Sequence, residues 1–329
     1  MNKNVTRRAV LASATSLATR AHAAEPLRLG LLRTLSPAPF YLAQERGYFA
    51  QAGAPVSFTF FQAAQPIAAA AVAGDIDIGV TALTGGFFSL AGRGALKVIG
   101  GALHEQKGFD LTAILVSKAA YADGVTSVAR LAGRSFGITQ YGSSFHYMIG
   151  RIAEGAGFDV KSMTLRPLQQ IGNMLAAVRT GQVDATMAIA SQARPVAASG
   201  EAKIIGWVGD LLPYQITALF TTSKMESASP DALHAFCTAY QKGVADYRAA
   251  FIDKTMPPDP AIEQIRRYVF TSDPDAKQKI LDGIGWYDPG AALDVMDVKA
   301  QLAWFSAQGM VKGDIDPDDI IDTRFLPTR

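Results

Sequence analysis

Tyr141-Gly142-Ser143-Ser144, with His146 close behind, is the densest group of chemistry-bearing residues in the chain. It falls between an apolar run that reads as a strand, Ser135–Thr139, and a stretch with helical spacing, Ser144–Ala156. The start of a helix leaves backbone N–H groups unpaired and carries the positive end of the helix dipole. The junction therefore suits a carboxylate, sulfonate or phosphate. Gly142 lets the backbone approach a ligand, and Ser143 and Ser144 add hydroxyl donors. The same residues also have a local reading, in which Ser143 caps the helix and contributes about 1 kcal/mol. His146 and Tyr147 sit in the first turn, where a side chain either reaches a cleft or packs inside. Ser143 and His146 form a possible nucleophile–base pair, but no third, orienting acid can be assigned.

The other candidates are mostly uncharged groups at turns from strand to helix. Ser36, Pro39 and Phe40 follow an apparent strand at Leu27–Leu32, and Ser36 reads as the cap of the next helix with Pro37 at its first position. Phe61 and Gln62 end a strand at Val56–Phe61 and offer a ring and an amide. Thr81, Leu83 and Thr84 follow a third strand, and Ser191 follows Asp184–Ile189. Tyr214 lies where the chain crosses between halves and either covers a ligand or packs. Trp286-Tyr287-Asp288-Pro289-Gly290 is a lid or a packed loop. No cation cluster occupies the strand ends, which disfavours a multiply charged inorganic anion. No metal spacing is present, since His104 and His234 are scattered, and neither a G-x-x-x-x-G-K loop nor H-E-x-x-H occurs. The expectation is no metal and no cofactor.

These turns need a scaffold, and the chain supplies one. Short apolar runs alternate with helical stretches: strands at 27–32, 56–61, 76–82 and 96–103, then a second series at 112–117, 135–139, 163–168, 184–189 and 203–208, and a last strand at 218–222. The helix after Ser36 reads as continuous to about Ala50. From Pro230 to about Gly309 the chain is mostly helical. This βαβ pattern predicts α/β units with mostly parallel sheets. The predicted division is 24–113 plus 218–329 for one domain and 114–217 for the other, with two hinge crossings near Leu111–Ser117 and Pro213–Phe220. Ligands in open α/β sheets bind at the C-terminal strand ends, so two facing sheets make a cleft. A chain of 329 residues is also longer than one core comfortably fills.

Residues 1–23 read as a signal peptide: Arg7-Arg8, a short apolar run to Ala18, and Ala21-His22-Ala23 before cleavage near Ala24. The paired arginines, the diluted apolar run and Arg20 favour twin-arginine export over an ordinary secretory leader. Changing Arg7 and Arg8 to Lys should stop export, and continued export would overturn that route. The leader holds four of the 31 basic residues and none of the 29 acidic ones, so the rest carries 27 against 29. The basic balance thus belongs to the leader, and no electrostatic case for nucleic acid remains. No later apolar run is long enough to span a bilayer. The single cysteine, Cys237, sits at core spacing within Asp231–Phe251 and reads as a structural thiol.

Leu27-Arg28-Leu29-Gly30 followed by Pro39-Phe40-Tyr41-Leu42-Ala43-Gln44-Glu45-Arg46-Gly47-Tyr48-Phe49 resembles the opening of the nitrate/sulfonate/taurine and pyrimidine-precursor (NMT1/THI5-like) solute-binding proteins of ABC importers. Ala70-Ala71-Val72-Ala73-Gly74-Asp75-Ile76-Asp77-Ile78-Gly79, Gly142-Ser143-Ser144-Phe145-His146 and Gly181-Gln182-Val183-Asp184 fit further segments of that family in order. The resemblance implies a type II periplasmic binding fold and a monomer in the periplasm that captures a small organic anion between two domains. It also implies delivery to an inner-membrane permease driven by a cytoplasmic ATPase. Aromatic carboxylates and sulfonates lead the expected ligands, followed by taurine and other alkanesulfonates and by pyrimidine precursors. A binding protein feeding a membrane sensor is a further reading. The enzyme reading, by similarity to pyrimidine synthases, lacks their cysteine-rich motif here.

Overall fold

Strands of four to six residues, most of them apolar, build the two main sheets of this computed structural model, which describes residues 25–329. The predicted leader and its cleavage site lie outside the described residues. The first sheet has the order β2-β1-β3-β12-β4, with β1 at Leu27–Leu32, β2 at Val56–Phe61, β3 at Ile78–Ala82, β4 at Leu96–Gly101 and β12 at Thr217–Thr222. The second has the order β10-β6-β9-β7-β8, from β6 (Thr112–Ser117), β7 (Ser135–Ile138), β8 (Thr164–Pro167), β9 (Ala185–Ile189) and β10 (Ala202–Trp207).

In each sheet every strand but one runs the same way. The exceptions are β12, antiparallel to both β3 and β4, and β6, antiparallel to both β9 and β10. Each is the strand by which the chain arrives from the other sheet. The parallel pairs β1–β2, β1–β3, β7–β8 and β7–β9 are fed by helical crossovers, as βαβ connections require. The result is an α/β fold with two sheet-bearing domains. A small third sheet joins the two crossings: β5 (Leu103–Glu105) lies between β11 (Tyr214–Gln215) and β13 (Trp286–Tyr287), antiparallel to both. The Trp286–Gly290 segment therefore contributes a strand here. Its Tyr287 is fully buried, and the phenol donates to the Ser36 carbonyl.

One helical expectation changes. The helix after Ser36 runs only over Ala38–Glu45, and Pro37, not Ser36, holds the cap position without a side-chain hydrogen bond. It stops because Gly47 adopts φ +69°, a left-handed conformation that L side chains rarely take, and a new turn starts at Tyr48. Between β6 and β7 the chain makes a 3-10 turn at Val128–Leu131.

The long helix Pro230–Tyr247 packs against Ala38–Glu45, where Phe40 stacks on Tyr240 with ring centroids 4.0 Å apart. Cys237 lies in the same core, and burial pushes its thiol pKa up. Gly243 makes the close approach possible. A Cβ there would lie 2.3 Å from the Pro39 carbonyl oxygen. Alanine improves helix propensity by about 1 kcal/mol, but a clash with backbone outweighs that, as overpacking costs about 1–3 kcal/mol. Gly243→Ala should therefore destabilise the protein in chemical denaturation. An increase in the midpoint would show that the two helices separate freely.

Candidate functional site

The carboxyl ends of β1, β2, β3, β7 and β9 converge on one cavity of about 90 Å3 between the two main sheets. On this measure about 10–15 Å3 holds one water, so the space suits several waters or a small organic molecule. β1 delivers Thr34, Leu35 and Ser36, β2 delivers Gln62, β3 delivers Ala82 and Thr84, and β7 delivers Thr139 and Gln140. The reversed strands β6 and β12 present their first residues, Thr112 and Thr217. Leu32, Leu103, Leu111, Phe145, Met148, Ile171, Ile189 and Ile216 make the apolar wall. Among the lining residues none is ionisable.

Three helices of 10, 12 and 10 residues start at this cavity: Ala64–Ala73, Ser144–Gly155 and Ile171–Thr180. Ala63 and Gln170, the cap residues of the first and third, provide no side-chain hydrogen bond. Ser143 caps the second, its Oγ accepting from the His146 amide at 3.4 Å. That bond uses a lone pair and leaves the hydroxyl proton free to donate. The first-turn amides of Ser144 and Phe145 have no partner within their own helix and border the same wall. Thr84 likewise accepts from the Phe87 amide at 3.0 Å and keeps its proton. The cavity thus holds partial positive charge without a cation.

Contacts between the units close it. The Gly85 amide donates to the Gly142 carbonyl at 3.0 Å, and Gln65 Nε2 to the Tyr141 carbonyl at 3.4 Å. On the other side Gly283, another lining residue, faces Ser191. Gly142 has φ +76°, which only glycine adopts readily. Its role is this turn and its contact with Gly85.

Of the residues singled out from the sequence, Ser36, Gln62, Thr84, Ser143 and Ser144 border the cavity, and the others lie elsewhere. Pro39 and Phe40 are buried between helices, and Leu83 is buried in the core. Phe61 packs half-buried against that core. Thr81 and Ser191 are buried, and their hydroxyls have no partner among the described residues. Tyr141 is exposed, its hydroxyl donating to the Leu165 carbonyl at 3.2 Å. His146 is buried with its Nδ1 accepting from the Gly142 amide at 3.2 Å, and burial lowers its pKa to about 4. A neutral ring so engaged supplies neither a cation to a ligand nor a base to Ser143. Tyr214 is fully buried against Tyr147, and its hydroxyl has no partner among the described residues.

Thr34, Thr139 and Gln140 were within reach of the strand-end rule applied to the other turns. Thr112 and Thr217 were not, because that rule looks at the wrong end of a reversed strand.

A family model described as NMT1/THI5 like matches residues 35–250. Among solved structures, the chain is similar to the alkanesulfonate-binding protein SsuA from Xanthomonas axonopodis pv. citri bound to MOPS (18% identity, TM-score 0.71, 91% of this chain and 98% of that one). It is also similar to the periplasmic aliphatic sulphonate binding protein SsuA from Escherichia coli (18%, TM-score 0.71, 91% and 92%). A third likeness is to the periplasmic nitrate-binding protein NrtA from Synechocystis PCC 6803 (14%, TM-score 0.68, 90% and 86%). No curated protein sequence matches the chain.

Proposed function

The chain belongs to the NMT1/THI5-like family, and on that premise we propose that it is the periplasmic solute-binding protein of an ABC importer. It captures a small organic anion between its domains and presents the closed form to a membrane permease served by an ATPase. The observation that carries this reading is the cavity itself, where three helix N-termini meet and no ionisable side chain lines the wall. Backbone amides and hydroxyls then hold a single negative charge. The apolar wall takes the body of the ligand, so aromatic or alkyl sulfonates and carboxylates fit better than nitrate. Taurine fits less well, because the wall offers its ammonium no carboxylate. The likeness to sulfonate- and nitrate-binding proteins supports the class. Among the described residues no helix is long and apolar enough to cross a membrane, in keeping with an exported receptor. The engagement of His146 with Gly142 favours binding over catalysis at Ser143.

A thermal-shift panel of benzenesulfonate and benzoate with their uncharged amides, an alkanesulfonate, taurine, nitrate and a pyrimidine precursor tests this. A ligand at 100 times its Kd stabilises by about 2.7 kcal/mol, which moves Tm by several degrees. We expect such shifts from the apolar-bodied anions and none from nitrate. Shifts from uncharged analogues equal to those of the anions would overturn the assignment.

A further inference from the structure

Glu105 is the last residue of β5, directly opposite Tyr214 of β11, and beyond both the chain leaves for the second sheet. On the far side of the crossing stand Thr112, which opens β6 and borders the cavity, and Gly209. The carboxyl of Glu105 thus sits at the pivot, with one neighbour on the central ribbon and two on the second unit. It is fully buried, and among the described residues no hydrogen bond of full geometry reaches either oxygen, although the Thr112 hydroxyl and amide and the Gly209 amide stand close to it; the Tyr214 hydroxyl beside it has no partner among them. A carboxylate cannot be left dry and unpaired, whereas a neutral carboxyl can.

The groups facing it do not change that. Burial raises the Glu105 pKa to about 8, outweighing the Thr112 hydroxyl and amide and the Gly209 amide, which favour the ionised form. Tyr214 and, behind it, Tyr147 of the helix Ser144–Gly155 are neutral phenols. Asp297 of the helix Val295–Ala307 accepts from the Gln215 amide and from Gln301, and burial raises it to about 6. Asp210 is exposed and accepts from the Gly108 amide. His104 is the adjoining strand residue, where Arg329 pairs with Asp288 and Asp294, and Arg151 at Tyr147 pairs with Glu154.

We propose that Glu105 couples closure of the cleft to proton uptake: its carboxyl is neutral and dry when the units close on the ligand, and hydrated and ionised when they open. Glu105 is a positioning residue for closure and does not touch the ligand. The inference rests on the reading of the cleft as one that opens and closes around a solute. The sign follows from linkage. The closed state holds one more proton than the open state between the ordinary glutamate pKa and about 8, so binding takes up roughly one proton there. The Kd rises by as much as tenfold per pH unit in that window and levels off above it.

Two measurements on the mature protein test this. The first is calorimetric titration with benzenesulfonate at pH 7 in buffers of different ionisation heat, for wild type, Glu105→Gln and Asp297→Asn. Uptake near one proton in wild type and Asp297→Asn, and near zero in Glu105→Gln, is expected. No uptake in wild type, or uptake that survives in Glu105→Gln, would overturn the proposal. The second needs no ligand: small-angle scattering from pH 6 to 9. Wild type should shift toward a larger radius as pH rises, and Glu105→Gln should not. Equal responses, or none in wild type, would overturn it. This arm decides the point even if benzenesulfonate fails to bind, which would count against the ligand class and not against the pivot. Glu105→Met, apolar and of similar length, replaces Glu105→Gln should that variant not fold.

Discussion

Replacing Ser144 by Asp should weaken capture of an anionic ligand by about a thousandfold and leave the fold standing. Ser144 is the first residue of the helix Ser144–Gly155 and borders the cavity, where the described lining carries no ionisable group. Two negative charges about 4 Å apart repel by about 4 kcal/mol at an effective dielectric of about 20, close to three decades in affinity. The same charge lies at the positive end of the helix dipole, where an acid contributes about 0.3–1 kcal/mol to stability. That gain offsets part of the cost of burying it, so the melting temperature of the free protein should move little. Ser144→Asn, similar in shape but uncharged, should keep binding within about tenfold. Calorimetry with the best anion from the panel, alongside the melting temperatures, separates the effects. Retained binding in Ser144→Asp would place the anionic head at another helix start, and Ala64–Ala73 would be the next to change. Equal loss in the Asn variant would mean that shape, not charge, decides.

How far the sequence carried this site depends on what each signal encodes. Strands β1, β2 and β6 fall on the expected residues because continuous apolar or alternating β-forming runs report burial directly. Gly74 and Gly181 stop their helices in left-handed conformations, a signal written in one residue type. Gly47 does the same within a run whose apolar pattern continues past it, and so the pattern hides the break. Reversal of β6 and β12 is a property of the path between sheets, which no local spacing encodes. Thr112 and Thr217 went unread for that reason. The three-stranded ribbon is less legible still, since β11 and β13 have two residues each and take their identity from pairing with β5. At Ser143 the capping and ligand readings turn out to be compatible, because one hydroxyl can accept from His146 and still donate into the cavity.

Phe40 shows where a strand-end rule and a packing rule compete, and Phe40→Ala separates them. It lies just past the first strand-to-helix turn, a position from which a ring could cover a ligand. In the fold it is fully buried, stacked on Tyr240 at an interplanar angle of 7° and close to Phe236. Ser36 lies in the turn before the cap Pro37 and borders the cavity, whereas Phe40, inside the helix Ala38–Glu45, sends its ring toward the helix Pro230–Tyr247. Removing the ring should cost about 3–5 kcal/mol of stability, the usual range for a buried phenylalanine, plus part of the stacking term. That is a large share of a stability of about 5–15 kcal/mol. The folded fraction should still bind its ligand with unchanged Kd, since the cavity wall loses no atom. Chemical denaturation reads the first quantity, and calorimetry well below the melting temperature reads the second. A mild loss of stability with a collapse of affinity would move Phe40 from the core into the ligand's wall.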